Sequence, residues 1–443
     1  MLRSTRIASV TAALALATLP FVACSAPEPP PAPDPAEIAR GIHERVITID
    51  THDDINVANF TAERNYTQRL DNQVNIPKMR EGGLDAAFFV VYVGQGELTK
   101  EGFDNAYKGA IEKFEAIHRL TKEIAPDQIE LALTSDDVRR INAAGKTVAL
   151  IGVENGYSIG EDLGRIKEFY DRGGRYLSFS HNNHSQLCDS NTGERDGVWA
   201  YNGLSELGKQ AVAEANRVGF MLDVSHISKA SMMQTVELSK APIIASHSSV
   251  RALCDHSRNL DDEQLLALKA NGGVAQMVAL SGYVKVREPD SPERTEAIAK
   301  LREEFGLPPA GAGRGGPGAR GAGAGGRGGM GSLSEEQRAE YMKKMEALNA
   351  QFPPPPRATV AEFVNHIDYA VKLIGIDHVG ISSDFDGGGG VTGWNGTEET
   401  FNVTLELVKR GYTEEQIARL WGGNLLRVMN ECQRIAAVME TPS

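Results

Sequence analysis

Cysteine is scarce in this chain of 443 residues. There are four, at positions 24, 188, 254 and 432, and no two form a CxxC pair. A disulfide-built scaffold is therefore excluded. Positive charge is also in deficit: 46 lysines and arginines face 59 aspartates and glutamates, a formal charge of −13. Phosphate neutralisation needs clustered basic side chains, so nucleic acid is not an expected partner. No GxGxxG follows an early strand-like run, which argues against a dinucleotide-binding sheet. Apolar residues at 41% and charged residues at 24% are ordinary for a globular protein. The length suits one large domain, such as an α/β barrel, or two or three small ones.

Arg3 and Arg6 precede the apolar stretch Ile7–Ala23, which Thr11, Thr18 and Pro20 interrupt. That is short for a membrane span and suits a signal peptide over residues 1–23. The segment ends at Phe21-Val22-Ala23-Cys24, which resembles a bacterial lipobox, although Phe21 stands where leucine is usual. Cleavage before Cys24 would leave a lipidated cysteine. Residues 24–36 would then tether the protein to the outer, periplasmic side of a membrane. Six prolines between Ala26 and Ala36 make that stretch an extended, semi-rigid spacer. An ordinary cleaved signal, giving a soluble periplasmic or secreted protein, is the alternative.

From residue 45 one pattern repeats. Eight short apolar runs alternate with longer amphipathic stretches: Val46–Asp50, Leu84–Val93, Thr147–Val153, Tyr176–Ser180, Gly219–Val224, Pro242–Ala245, Gly273–Ala279 and His378–Ile381. Nearly continuous apolar runs are expected of parallel strands buried on both faces. Thr99–Ile124, Gly203–Arg217 and Asp262–Ala270 read as intervening helices. The pattern predicts a (β/α)₈ barrel of the TIM type over residues 37–443, with an open doubly wound sheet as the alternative. Ala310–Gly331 holds twelve glycines and three arginines. Such a segment cannot offset its ordering entropy, and it is expected to be a disordered insert at about residues 308–332. The charged stretches beside it, Arg287–Phe305 and Ser334–Gln351, read as a two-helix arm.

A barrel of this class carries its chemistry where the strands end. The runs are followed by Asp50-Thr51-His52-Asp53-Asp54, Glu154, His181 with His184, His226, His247, Tyr283 and Asp384. Half of the ten histidines fall in these places. A lone histidine there is more often a hydrogen-bonded rim residue than a ligand. Several imidazoles and carboxylates converging from separate strands are costly to bury without a cation. Nitrogen and oxygen donors without thiolate suit zinc or another divalent transition metal. His52 and Asp54, two apart on an extended strand end, can grip one ion. His226 and His247 can hold a second, and Glu154 can bridge the two. A hydroxide held between the ions would be a nucleophile at neutral pH. Asp50, Asp386 and His184 read as turn or rim residues.

Together these stretches resemble the membrane (renal-type) dipeptidases, zinc metallopeptidases of family M19 related to the amidohydrolases. The resemblance is carried by Ile49–Asp54, Ile151–Gly156, Arg175–His181, Gly203–Ser205, Leu222–His226, Ile244–Ser248, His256–Asn259 and His378–Gly387, in family order. It implies two zinc ions, with His52 and Asp54 on the first, His226 and His247 on the second and Glu154 between them. It further implies that His181 binds the substrate carbonyl and its oxyanion. Arg258 would hold the substrate's terminal carboxylate, with Tyr283 as a second contact, and Asp384 would handle protons. Dipeptide substrates and a homodimer are further implications. The family pattern is not matched everywhere: Asp53, Asn155 and Asn182-Asn183-His184 depart from it. The rival readings are hydrolysis of a β-lactam or N-acyl amino acid on the same metal site, or a non-catalytic surface lipoprotein. Cys188, Cys254 and Cys432 allow one disulfide or three free thiols.

Overall fold

The eight apolar runs all contain strands, and every ladder between them is parallel. The computed structural model describes residues 34–309 and 333–440, together with Ala8. Cys24 and the glycine-rich segment lie outside the described residues. Strands are β1 Ile49–Asp54, β2 Ala86–Tyr92, β3 Ile129–Leu131, β4 Thr147–Glu154, β5 Gly174–Ser178, β6 Met221–Asp223, β7 Ile244–Ala245, β8 Val274–Val278 and β9 Val379–Ser382. The sheet order is β1-β2-β4-β5-β6-β7-β8-β9. β3 lies off that path and pairs with the first half of β4, before β5 takes over the same edge. The sequence pattern did not include β3. Its three residues Ile-Glu-Leu are too few to show a period.

Why the runs are apolar on both faces is plain from the packing. Ala86 and Phe88 of β2 point into the barrel with Val148, Leu150, Tyr176, Met221, Ile244 and Val274. Ala87, Phe89 and Val91 point outward, against the helices, with Ala149, Ile151 and Val153. The C-terminal helix Asn424–Glu440 contributes Leu425, Leu426, Val428 and Met429 to the inner cluster and so stoppers one end. β9 returns to β1. Asp54 N–H donates to the Phe385 carbonyl at 2.9 Å, and Thr51 Oγ1 donates to the Ile381 carbonyl at 3.1 Å. These bonds nearly close the barrel and exclude an open doubly wound sheet.

Helices begin where a small polar residue can cap their free N–H groups. Thr99, Ser205 and Asp261 cap Lys100–Arg119, Glu206–Val218 and Asp262–Asn271, each cap contributing about 1 kcal/mol. The stretches beside the glycine-rich segment are the helices Pro292–Glu304 and Glu335–Gln351. They share a small apolar cluster of Leu301, Leu307, Leu333, Tyr341 and Leu348. Cys188, Cys254 and Cys432 are buried free thiols.

Candidate active site

The polar residues at the strand ends converge on one rim of the barrel. His52 and Asp54 belong to β1 and Glu154 ends β4, while His181, His226, His247 and Asp384 follow β5, β6, β7 and β9. One extra residue of β1 sits between the pairs Asp50–Ala87 and Asp53–Phe89. Such a bulge re-aims the side chains at a strand end. His226 and Asp384 both have left-handed backbones, with φ of 72° and 60°. That is uncommon for residues with a side chain, and it is tolerated mostly where function requires it.

Glu154 sits in the middle. Its Oε2 lies 3.5 Å from His52 Nε2, and its Oε1 lies 3.0 Å from His226 Nε2 and 3.6 Å from His247 Nε2. Asp54 Oδ2 is 4.0 Å from His52 Nε2. Three overlapping sets of donor atoms, each within 4.8 Å of one another, result: His52–Asp54–Glu154, Glu154–His226–His247 and His52–His247–Asp384.

The histidine tautomers test whether a cation fits. His226 Nδ1 meets the side-chain oxygen of Asn182 at 3.1 Å, so Nδ1 carries the hydrogen. Ser246 donates its only proton to Asp223 Oδ2 at 2.7 Å. It can therefore only accept from His247 Nδ1, also at 2.7 Å. Both Nε2 atoms are left as lone pairs, and they face each other across 2.9 Å. Glu154 Oε1, buried without a hydrogen-bond partner, faces the same point. Lone pairs and a carboxylate oxygen repel one another unless a cation lies among them. The donor set fits a divalent metal.

Electrostatics agree. Burial pushes the pKa of His226 and His247 well down, and nearby Arg258 adds to the effect. Burial likewise takes His181 down to about 4. It would lower His52 too, but Glu154, Asp384 and Asp54 outweigh it and raise His52 to about 9. Burial lifts Asp54 to about 6, with help from Glu154. It pushes Asp384 well above the carboxylate range despite the opposing pull of His52. Glu154 goes the other way: His52, His181 and His226 overcome its burial and hold it well down. A field that draws a proton onto His52 also favours a metal cation.

Around this cluster stand the remaining candidates. His181 lies with its ring 4.2 Å from that of His226, and its Nδ1 is 3.4 Å from Tyr92 Oη. Arg258 is buried, donates to the His247 carbonyl at 3.1 Å and to Ser248 Oγ at 3.4 Å, and leaves Nε without a partner. Tyr283 is beside it, its ring centre 5.5 Å from the guanidinium carbon. Asn259 ties that loop down by donating to the Cys254 and Tyr283 carbonyls, both at 2.8 Å. Asp50 and Asp386 act as clamps, Asp50 accepting from Ser383 N–H and Asp386 from Gln73 N–H. His184 is at the rim, between Ser190 N–H and the Val198 carbonyl.

A profile of the membrane dipeptidases (peptidase family M19) matches residues 36–443. The chain belongs to this family. It is a hydrolase of the dipeptidase type, and membership implies use of a metal. It is 27% identical to dipeptidase aclJ of Aspergillus oryzae over 420 residues, covering 90% of this chain and 83% of that one. It is 28% identical to rat dipeptidase 3 over 384 residues, covering 86% of this chain and 61% of the relative. The crystal structure of the probable dipeptidase PvdM from Pseudomonas aeruginosa superimposes with a TM-score of 0.73 at 33% identity, covering 90% of this chain and 99% of that one.

Sequence reading of this dipeptidase-family chain assigned no role to Tyr92, Tyr176, Asn182, Asp223 or Ser246. Tyr176 Oη lies 2.8 Å from His52 Nδ1, and its ring needs Gly152, where a Cβ would come within 2.0 Å of it. A signal existed for Asp223, an acid at the end of an otherwise apolar strand. None existed for Asn182.

Proposed function

We propose that this protein is an exported dipeptidase holding two zinc ions, one at His52 and Asp54, one at His226 and His247, bridged by Glu154. The observation that carries the reading is the pair of facing Nε2 lone pairs at 2.9 Å, with the partnerless Glu154 oxygen beside them. Bound ions would supply Lewis acidity to the scissile carbonyl and make an attacking water acidic enough to ionise near neutral pH. The chain's own residues do the rest. His181, neutral through burial, donates to the carbonyl oxygen as negative charge develops on it. Arg258 offers its unmet Nε–H to the substrate's terminal carboxylate and so limits the substrate to short peptides. Tyr283 supports the same end. Asp384 takes a proton from the attacking water and passes it to the leaving amine nitrogen.

Comparison of free dipeptides with their C-terminal amides tests this. Wild type should prefer the acid strongly. Arg258→Met should lose about 2–4 kcal/mol of transition-state stabilisation on the acid, on the order of a hundredfold in kcat/KM, and little on the amide. Metal content should stay unchanged. Equal wild-type rates on acid and amide would point instead to another amide substrate on the same site. Export belongs to the same proposal: Cys24→Ser should move the protein from the membrane to the soluble fraction with its activity intact. A mature N-terminus beyond Cys24 would count against lipidation.

A further inference from the structure

Each histidine of the candidate metal cluster is held from behind, but not by the same chemistry. His52 Nδ1 meets the phenol of Tyr176 at 2.8 Å, and His226 Nδ1 meets the amide oxygen of Asn182 at 3.1 Å. Both partners are neutral. His247 Nδ1 donates to Ser246 Oγ at 2.7 Å, and Ser246 donates in turn to the carboxylate of Asp223 at 2.7 Å. Among the described residues, His247 is thus the one of the three hydrogen-bonded, through a hydroxyl, to a buried acid.

Asp223 is placed to act as an acceptor and nothing else. Its Oδ1 takes the N–H groups of Ser225 at 3.0 Å and Ser246 at 2.8 Å, and its Oδ2 takes the Ser246 hydroxyl. Ser225 Oγ in turn accepts from the His247 N–H at 3.0 Å, so backbone and ring of His247 are fixed together. β6 and β7 supply opposite ends of this arrangement, because Asp223 pairs with Ile244 in the ladder.

We propose that Asp223 and Ser246 form a relay that sets how tightly the ion at Glu154, His226 and His247 is held, and that bears less on the ion at His52 and Asp54. The inference rests on the two-metal reading above. Both are positioning residues that act through His247. The relay fixes the hydrogen on Nδ1 and aims the Nε2 lone pair at the point faced by Glu154 Oε1 and His226 Nε2. A carboxylate behind an imidazole also makes it a stronger donor. No hydrogen bond links Asp223 or Ser246 to His52 or Asp54 among the described residues. The His52 ring touches that of His247, 3.8 Å between centres, and Asp223 reaches His52 only through its charge, so the other ion should sense the change more weakly.

The test challenges the zinc-loaded full-length enzyme with graded chelator and counts retained zinc after gel filtration. Wild type should release two ions at two distinct chelator concentrations. Ser246→Ala should shift one release midpoint by about 10–100-fold toward weaker binding and the other by much less. Asp223→Asn, which keeps the shape and removes the charge, should move the same midpoint in the same direction. It carries the test alone if Ser246→Ala fails to fold. Ser246→Thr retains the hydroxyl and should restore the wild-type midpoint. Tyr176→Phe should move the other midpoint. Both midpoints unchanged in Ser246→Ala and Asp223→Asn would overturn the relay, as would both moving by the same factor. A wild type that retains no zinc would overturn the two-metal reading itself, and the relay with it.

Discussion

Gly387 is where one methyl group would press directly on two carboxylates of the site. A Cβ there would lie 2.4 Å from both Asp384 Oδ1 and Asp54 Oδ2. Two carboxylates from opposite ends of the chain approach each other over a residue that must stay bare. Gly387→Ala should displace one or both. Misplacement by about 1 Å at a reacting centre costs on the order of a hundredfold in rate. Dipeptide kcat/KM should fall by that order, while circular dichroism stays that of the wild type. A variant with full activity would show that Asp384 is not held where the reaction needs it. The residue scale is also where sequence reading went furthest. His52, Asp54, Glu154, His181, His226, His247 and Asp384 could be singled out because ionisable residues right after apolar runs are conspicuous. Their supports could not. Tyr176 and His52 are 124 positions apart, and Ser246 and Asp223 are 23 apart. Nothing local marks either pair.

Among elements, the helix Val360–Ile374 has a role that its amphipathic pattern hides. Its His366 is buried between the segments following β7 and β8, which carry Arg258 and Tyr283. Val250 N–H donates to His366 Nδ1 at 3.0 Å, and Nε2 lies 2.9 Å from the Val284 carbonyl. The ring is therefore neutral with its hydrogen on Nε2, since a proton on Nδ1 would face an N–H. Burial lowers its pKa, against the smaller pull of the Val284 carbonyl. The unfolded chain protonates this residue near pH 6.5 and the folded chain resists until lower pH. The associated stability is present above about pH 6.5 and is lost as pH falls below it, by at most about 1.4 kcal/mol per pH unit. His366→Gln removes that dependence. Urea unfolding should show a larger gap between wild type and variant at pH 7.5 than at pH 5. An equal gap at both pH values would show that His366 is not held neutral by the fold.

For the whole molecule, the candidate metal cluster ties separate parts of the barrel together. The proposed ligands come from β1, the end of β4 and the segments after β6 and β7, so an ion bound there would restrain most of the barrel. A ligand bound only by the folded state stabilises it by about 2.7 kcal/mol when its concentration is a hundred times Kd. Stripping the protein with chelator should lower its melting temperature by at least a few degrees, and zinc should restore it. Scanning calorimetry of stripped and reloaded protein checks this. Identical melting curves would mean that no ion is bound in the native state.

Composition and periodicity by themselves determined the eight principal strands, because strands buried on both faces must be apolar throughout. They also determined the strand-end residues, because ionisable groups break that rule only where the chain leaves the core. The third strand escaped notice, being three residues that borrow their partner from the first half of β4. Near-closure of the barrel was decided by tertiary structure alone. It depends on contacts such as the backbone bond from Asp54 to Phe385, about 330 positions apart, and either end read alone is compatible with an open sheet. The same holds for which nitrogen of each histidine faces the metal point. That choice is made by Tyr176, Asn182 and Ser246, which reach the imidazoles only after the barrel has brought distant strands side by side.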